Sequence, residues 1–426
     1  MNEYTRREVV RRSAAAAALA FVPVVPAVSR MAGHKQAERA QAEKAVVPGL
    51  DVNGFFASMK SGLAGVNGYS MELRRHGAAI GSYSSGNAID GPAESSAGHQ
   101  VSSVPWTTTT PMQIASCSKL ITAMALTKLL AQKGISPDTP ISPYLPTYWG
   151  TPGPNVGQIT FTNLMAQTSG LTDPSGGQDY AAAKQAIQLG VADRTKIGIP
   201  GQLAEGTWDY QNINFDLCRI LMATVSGTIN VGFTDKFFVQ PPTAVVDQAW
   251  DAGTLRFYQQ YVQQNVLGPA GVTATLTRPA GCALAYTTPP ATAPGWNSGD
   301  MTELAGPTGW HMSVDGMLTI MGTFRRKGTI MSSAAAQAML DARFAIDWGD
   351  NGIPQSCRAG VLYPKNGSQN SGSQTEQTSV VFLPLDMEFA VWVNSPIPVN
   401  GFLLGIACSA FVDNIGYQLS RGKPRL

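Results

Sequence analysis

Charge is what this chain has least of. Asp, Glu, Lys and Arg make up 14% of its 426 residues, and 30 basic against 28 acidic side chains leave almost no excess of either sign. A nucleic-acid binder needs a basic face, so this balance excludes that class. Histidine is scarcer still, with four (His34, His76, His99 and His311), and the chain lacks a Gly-x-Ser-x-Gly elbow. Together these set aside a Ser-His-Asp hydrolase. The five cysteines (Cys117, Cys218, Cys282, Cys357 and Cys408) are too widely spaced for a metal-ligand pattern, and neither a metal nor another cofactor is expected. Cys218 and Cys408 lie in apolar, helix-like runs and read as core residues. Cys282 and Cys357 are candidates for a disulfide if the protein is exported. No stretch after residue 28 is long and apolar enough to span a bilayer. What is present in quantity is apolar surface: at 44% hydrophobic residues the chain can bury one large core or two modest ones.

The N-terminus carries an address. Thr5-Arg6-Arg7-Glu8-Val9-Val10-Arg11-Arg12 precedes an apolar run from Ser13 to Val28 that contains two prolines. A basic head, a short hydrophobic run and small residues near Ala27 make a cleavable export signal, and the Arg6-Arg7 pair resembles the twin-arginine type. Residues 1–32 are therefore expected to be a signal peptide and 33–48 a polar leader. The mature protein would be periplasmic or secreted, with no stable membrane span. Twin-arginine cargo folds before export in a reducing compartment, which argues against disulfides.

Periodicity then divides the chain. A helix is expected from Asp51 to about Gly62, and two strands, Tyr69 to Arg75 and Ala78 to Tyr83, flank a turn at His76-Gly77. Met112-Gln113-Ile114 leads into a helix that is apolar almost all round and should lie buried at the centre, ending at Gly134. Residues 135–315 read as helical and loop-rich, with 229–303 an embellished insertion containing Pro241-Pro242 and Pro289-Pro290. Val380 to Leu383 and Phe389 to Val393 form a second hairpin, and a last helix is expected from about Phe402 to Leu419. Terminal strands in one sheet around a helical segment give an α/β plus all-α arrangement. The sheet part is 49–115 with 316–426, and the helical part is 116–315.

The chemistry begins at Ser116-Cys117-Ser118-Lys119, which places a hydroxyl nucleophile and an amine base one helical turn apart. The tetrad alone is weak, since Ser420-Arg421-Gly422-Lys423 matches it and Ser116 would serve equally as a helix cap. Two ordered partners strengthen it. Tyr210-Gln211-Asn212 is the only Tyr-x-Asn in the chain, and Lys365-Asn366-Gly367 follows it, although Pro364 to Gly367 also reads as a β-turn. In this reading Ser116 attacks a carbonyl carbon and Lys119 accepts its proton, provided burial or a nearby cation lowers the amine's pKa. Tyr210 acts as phenolate with Lys119, Asn212 holds Lys119 and a substrate amide, and Lys365 adds positive potential. Gly367 lets a backbone approach closely, Asn366 borders the substrate, and the N–H groups of Ser116 and Ser368 are the candidate oxyanion donors.

These motifs resemble those of the class C β-lactamase and penicillin-recognising serine hydrolases, a group that includes esterases, D-amino-acid peptidases and carboxypeptidases. Ile159 to Leu171 is similar to that family's Ile-Thr-Ile-x-x-Leu-Leu-x-His-Thr-Ser-Gly-Leu segment, with Gln167 where histidine is common. Gly309-Trp310-His311-Met312-Ser313 resembles its glycine-rich stretch. The resemblance implies a β-lactamase-like (DD-peptidase) fold, an antiparallel sheet flanked by helices with an inserted helical domain. It also implies a small ester, amide or peptide substrate. Asn366 stands where β-lactamases usually carry a hydroxyl residue that helps bind the drug's carboxylate, and residues 372–377 lack the usual Gly-aromatic pairing. Ester or short-peptide amide hydrolysis is thus favoured over β-lactam hydrolysis, and a non-catalytic binding or sensor protein is the alternative of a different class. The insertion at 229–303 is expected to reshape the pocket. Oligomeric state is not legible in the sequence.

Overall fold

The computed structural model describes residues 47–95, 100–173, 178–204, 206–236, 242–349, 353–398 and 402–418. The export signal, nearly all of the leader and the second Ser-x-x-Lys match at Ser420 lie outside the described residues. By their contacts residues 48–418 form one unit.

Within that unit a six-stranded antiparallel sheet is the organising layer. Its strands are β1 (Gly68–Arg75), β2 (Ala78–Ile89), β3 (Val104–Pro105), β6 (Tyr363–Ser371), β7 (Gln374–Leu383) and β8 (Met387–Val393). The order across the sheet is β3-β2-β1-β8-β7-β6, so the N-terminal and C-terminal hairpins meet where β1 pairs with β8, Leu73 opposite Phe389. Over residues 380–383 and 389–393, strands β7 and β8 are apolar on both faces because both faces are covered. Val381, Leu383, Phe389 and Val391 pack with α1 (Val52–Gly62) and α6 (Leu403–Asn414) in one core. Their alternating neighbours Val380, Phe382, Ala390 and Trp392 face a larger core on the other side. That second core is built around α2 (Ser118–Lys133) and α3 (Ile213–Ser226), with α4 (Thr243–Val262) and α5 (Val314–Gly322) packed about them.

Helix α2 is buried as its composition requires, and Gly134 ends it in the left-handed conformation at φ +66°. Asp51 caps α1 by accepting from the Gly54 N–H at 3.0 Å.

Two sequence expectations are corrected, the extent of the last helix and the place of the 229–303 insertion, and two open alternatives are decided, the β-turn at Pro364 and the disulfide. The last helix stops at Asn414, and Ile415–Gln418 is extended. Asn414 anchors that exit, its carbonyl accepting from Asp51 N and its amide donating to Ser58 Oγ at 3.1 Å. Pro364 to Gly367 is not a turn but part of β6, a strand that pairs with β7 in register Lys365–Val380 and Gly367–Thr378. Cys282 and Cys357 are free thiols. Cys357 packs against the core under α1 and α6, whereas Cys282 lies beside Glu376, which points to the opposite face of the sheet. Finally, α4 from the 229–303 insertion packs behind α2, where the Tyr258 hydroxyl meets Thr122 Oγ1 at 2.8 Å and accepts from Trp310 Nε1 at 3.0 Å.

Candidate active site

The nucleophile turn is held open by its neighbours. Strand β4 (Met112–Gln113) pairs with β5 (His311–Met312), and two residues beyond it Ala115 takes φ +46°, a conformation that a residue with a side chain adopts only under constraint. Gln113 supplies the constraint, accepting from Ala115 N–H at 2.7 Å while its own amide donates to Thr308 Oγ1 and Gln369 Oε1. One 3-10 turn, Ala115–Cys117, then leads into α2. From residue 112 to 126 every residue is buried except Ser116, which is half-exposed at the floor of a cavity of about 680 Å³.

Around Ser116 the structure gathers residues from distant parts of the chain. Lys119 Nζ donates to Ser116 Oγ at 3.0 Å, Asn212 Oδ1 at 2.7 Å and the Pro307 carbonyl at 2.9 Å. The Tyr210 hydroxyl donates to Ser116 Oγ from the other side. Lys119 Nζ and Lys365 Nζ each lie 4.9 Å from the centre of the Tyr210 ring.

Burial pushes the Lys119 pKa below the ordinary lysine value, with the Lys365 charge acting in the same direction against the opposing pull of Tyr210. For Tyr210, burial alone would raise the phenol, but the Lys119 and Lys365 ammonium groups bring it below its usual value on balance. The two groups therefore compete for one proton beside the serine and titrate as a pair.

Strand β6 lies at the sheet edge, and its free side is covered by the nucleophile turn. Gly367 is where the two backbones touch: a Cβ there would fall 2.7 Å from the Ile114 carbonyl and 3.0 Å from Ser116 N. Asn366 and Ser368 both line the cavity. The Asn366 side chain is engaged behind the strand, its Oδ1 accepting from Ser379 Oγ at 2.9 Å. Trp310 and His311 are buried in the core. Among the described residues, nothing from 229–303 lines the cavity, so the insertion does not shape it as expected from the sequence.

Sequence reasoning passed over two residues. Asp347 is buried beside Lys365, its Oδ1 2.5 Å from Nζ and its Oδ2 accepting from Asn366 N–H at 2.7 Å. Burial works against the Lys365 ammonium, but Asp347 and Tyr210 outweigh it and hold its pKa up at about 12. No motif announces Asp347, which reaches the site from a loop anchored by its own N–H on the Pro364 carbonyl.

The second is Gln167, noted only as a departure from histidine. It sits at φ +61°, and its Oε1 accepts from Gln211 N–H at 3.0 Å and Asn214 Nδ2 at 2.6 Å, while its carbonyl accepts from Asp209 N–H. These bonds bracket Tyr210 and Asn212. Gln167→Ala would leave the buried Asn214 amide and the Gln211 N–H short of an acceptor, at about 1–3 kcal/mol each if water cannot replace it. The expected result is a lower melting temperature and a fall in kcat larger than any change in KM. An unchanged kcat would show that the loop holds itself.

Comparison with known proteins bears on the fold that holds this geometry. Residues 63–240 match the family model described as Beta-lactamase. The class C β-lactamase from Rhodobacter sphaeroides superposes with a TM-score of 0.56 at 18% identity, covering 85% of this chain and 99% of that one. The fold is β-lactamase-like. The octameric penicillin-binding protein homologue from Pyrococcus abyssi has the same fold, with a TM-score of 0.57 at 17% identity over 85% of this chain and 76% of that chain. A Bacillus subtilis (strain 168) protein named as a penicillin-binding protein, PbpX, is 26% identical over 164 residues, 38% of this chain. The match spans 32% of that relative's length, about a third. The β-lactamase-like fold explains why strands from both ends of the sequence share one sheet and why the cavity opens between that sheet and the helical layer.

Proposed function

We propose that the protein is an exported serine hydrolase that cleaves small carboxylic esters or amides through an acyl-enzyme on Ser116. The observation that carries the reading is the convergence of Lys119 and Tyr210 on the hydroxyl of the one half-exposed residue between 112 and 126. Ser116 Oγ bonds to the substrate carbonyl carbon while its proton passes to the Lys119–Tyr210 pair. The negative charge that develops on the carbonyl oxygen is met by the N–H groups of Ser116 and Ser368. Collapse breaks the bond to the leaving group, which takes the proton back from the pair. Water then attacks the acyl ester, its proton goes to the same pair, and Ser116 leaves reprotonated.

Hydrolysis of β-lactams is the second reading, supported by the likeness to a class C β-lactamase. Export is supported by Arg6-Arg7 and the apolar run after them, and no described helix is long and apolar enough to cross a membrane.

The test is labelling of fractionated cells with a fluorophosphonate, followed by peptide mass spectrometry. The phosphonyl group should be found on Ser116, in a band outside the cytoplasm. A well-folded protein that takes no label would instead be a binding or sensor protein, and label confined to the cytoplasm would remove export from the proposal.

A further inference from the structure

Lys365-Asn366-Gly367 presents this site's ready-made donors for an anion, the Lys365 ammonium and the Asn366 N–H, and the chain has already filled them with a carboxylate of its own. Asp347 takes Lys365 Nζ at 2.5 Å on one oxygen and Asn366 N–H at 2.7 Å on the other. The pair is enclosed, with the Lys365 and Asp347 side chains only 2% and 6% exposed. Both residues nevertheless border the cavity. A second carboxylate in the lining, Asp209, is exposed and, among the described residues, accepts only from the Gln211 side-chain amide, at 3.2 Å. No other Lys or Arg lines the cavity among the described residues; the remaining polar lining is supplied by amides and hydroxyls such as Gln369, Asn370 and Thr308. An anionic group entering beside Ser116 would therefore meet a Lys365 already neutralised by Asp347, a Lys119 engaged with Tyr210 and Ser116, and the exposed carboxylate of Asp209, while a neutral or cationic group would meet amides and a carboxylate that can accept its hydrogen bonds.

We propose that Asp347 is the specificity-determining residue of this site: it closes the anion subsite and restricts turnover to esters and amides whose leaving group is neutral or cationic. This rests on the acyl-enzyme reading above and adds to it the charge class of the substrate. Carboxylate-terminated peptides and β-lactams, which carry an anion close to the scissile bond, fall outside that class.

The experiment uses the full chain and two aryl esters with the same acyl group, one whose leaving phenol bears a meta carboxylate and one a meta carboxamide. Each kcat/KM is divided by the spontaneous hydrolysis rate of that ester. The carboxamide ester should be preferred by about 10²-fold, the size expected when a carboxylate is desolvated beside a cation that is already paired. In Asp347→Asn, which keeps an acceptor for Asn366 N–H but frees the Lys365 charge, the preference should shrink about tenfold or more through a gain on the carboxylate ester. A merely structural role for Asp347 would lower both esters together and leave the ratio unchanged. A wild-type ratio near one, or a ratio unmoved in a folded Asp347→Asn, overturns the proposal. Should that variant not fold, competition on the wild type decides: 3-hydroxybenzamide should inhibit and 3-hydroxybenzoate should not, and equal inhibition refutes it. Fluorophosphonate labelling of Ser116 in the same samples separates the two failures, since its absence sinks the acyl-enzyme reading, whereas its presence with no charge preference sinks only the role of Asp347.

Discussion

Lys119→Met should lower kcat/KM by about 10²–10⁴-fold, the usual range for removing a positioned general base. Methionine matches the lysine stem in length and suits the apolar helix, so folded protein is expected. What disappears is the amine that touches Ser116 Oγ, Asn212 Oδ1 and the Pro307 carbonyl. The pH profile distinguishes this from simple damage. In the wild type the Lys119–Tyr210 pair must lose a proton before it can accept one from Ser116. Activity should therefore rise with pH, through an apparent pKa below the ordinary lysine value, because burial and Lys365 lower Lys119 and the two ammonium groups lower Tyr210. Without the Lys119 charge the buried Tyr210 phenol loses the larger of its two lowering influences, so its pKa rises. The remaining activity should then climb only at higher pH. A variant with near-normal rate and an unshifted profile would remove Lys119 from the chemistry.

Gly367→Ala should be nearly as damaging, for a steric reason. The added methyl would meet the Thr378 hydroxyl and two backbone atoms, the Ile114 carbonyl at 2.7 Å and Ser116 N at 3.0 Å. Thr378 cannot simply turn away, because its hydroxyl donates to the same Ile114 carbonyl at 2.8 Å. The edge strand and the nucleophile turn must separate. Overpacking of this kind costs about 3 kcal/mol, at the upper end for an inserted methyl, and misplacing a reacting atom by ~1 Å costs about 10²-fold in rate. A lower melting temperature together with a kcat loss of that size is the expected pair of results. Normal stability with a normal rate would show that β6 does not hold Ser116 in place.

How far the site could be read in advance depended on how local its signals are. Ser116 and Lys119 are one turn apart, so their spacing carries the relation between them. Tyr210 and Asn212 lie together in a short segment that ends at a helix, and the structure brings them to the same lysine. Lys365 was identifiable by pattern, but its setting was not. Pro364, Asn366 and Gly367 are turn-favouring residues, and only pairing with β7 makes the segment a strand. Asp347 is an acidic residue in a loop with no periodicity around it, and nothing in its local sequence reveals that it neutralises Lys365. Gln167 was visible only as a departure from a pattern, because a hydrogen bond that its side chain accepts from a backbone N–H more than forty residues away leaves no spacing to read. The insertion at 229–303 misled for a similar reason: its composition marked it as added, but whether it faced the cavity or the back of α2 was a matter of packing.

The sequence by itself thus determined the reacting pair, the buried helix behind it and the two hairpins of the sheet, because these follow from periodicities of two and 3.6 residues and from contacts within a turn. The tertiary structure alone decided how the site is charged. Lys119 and Tyr210 are brought into competition for a proton by burial, and Lys365 is paired with Asp347 by a loop. Charge interactions depend on separation in space and on exclusion of water, and the linear order of residues specifies neither.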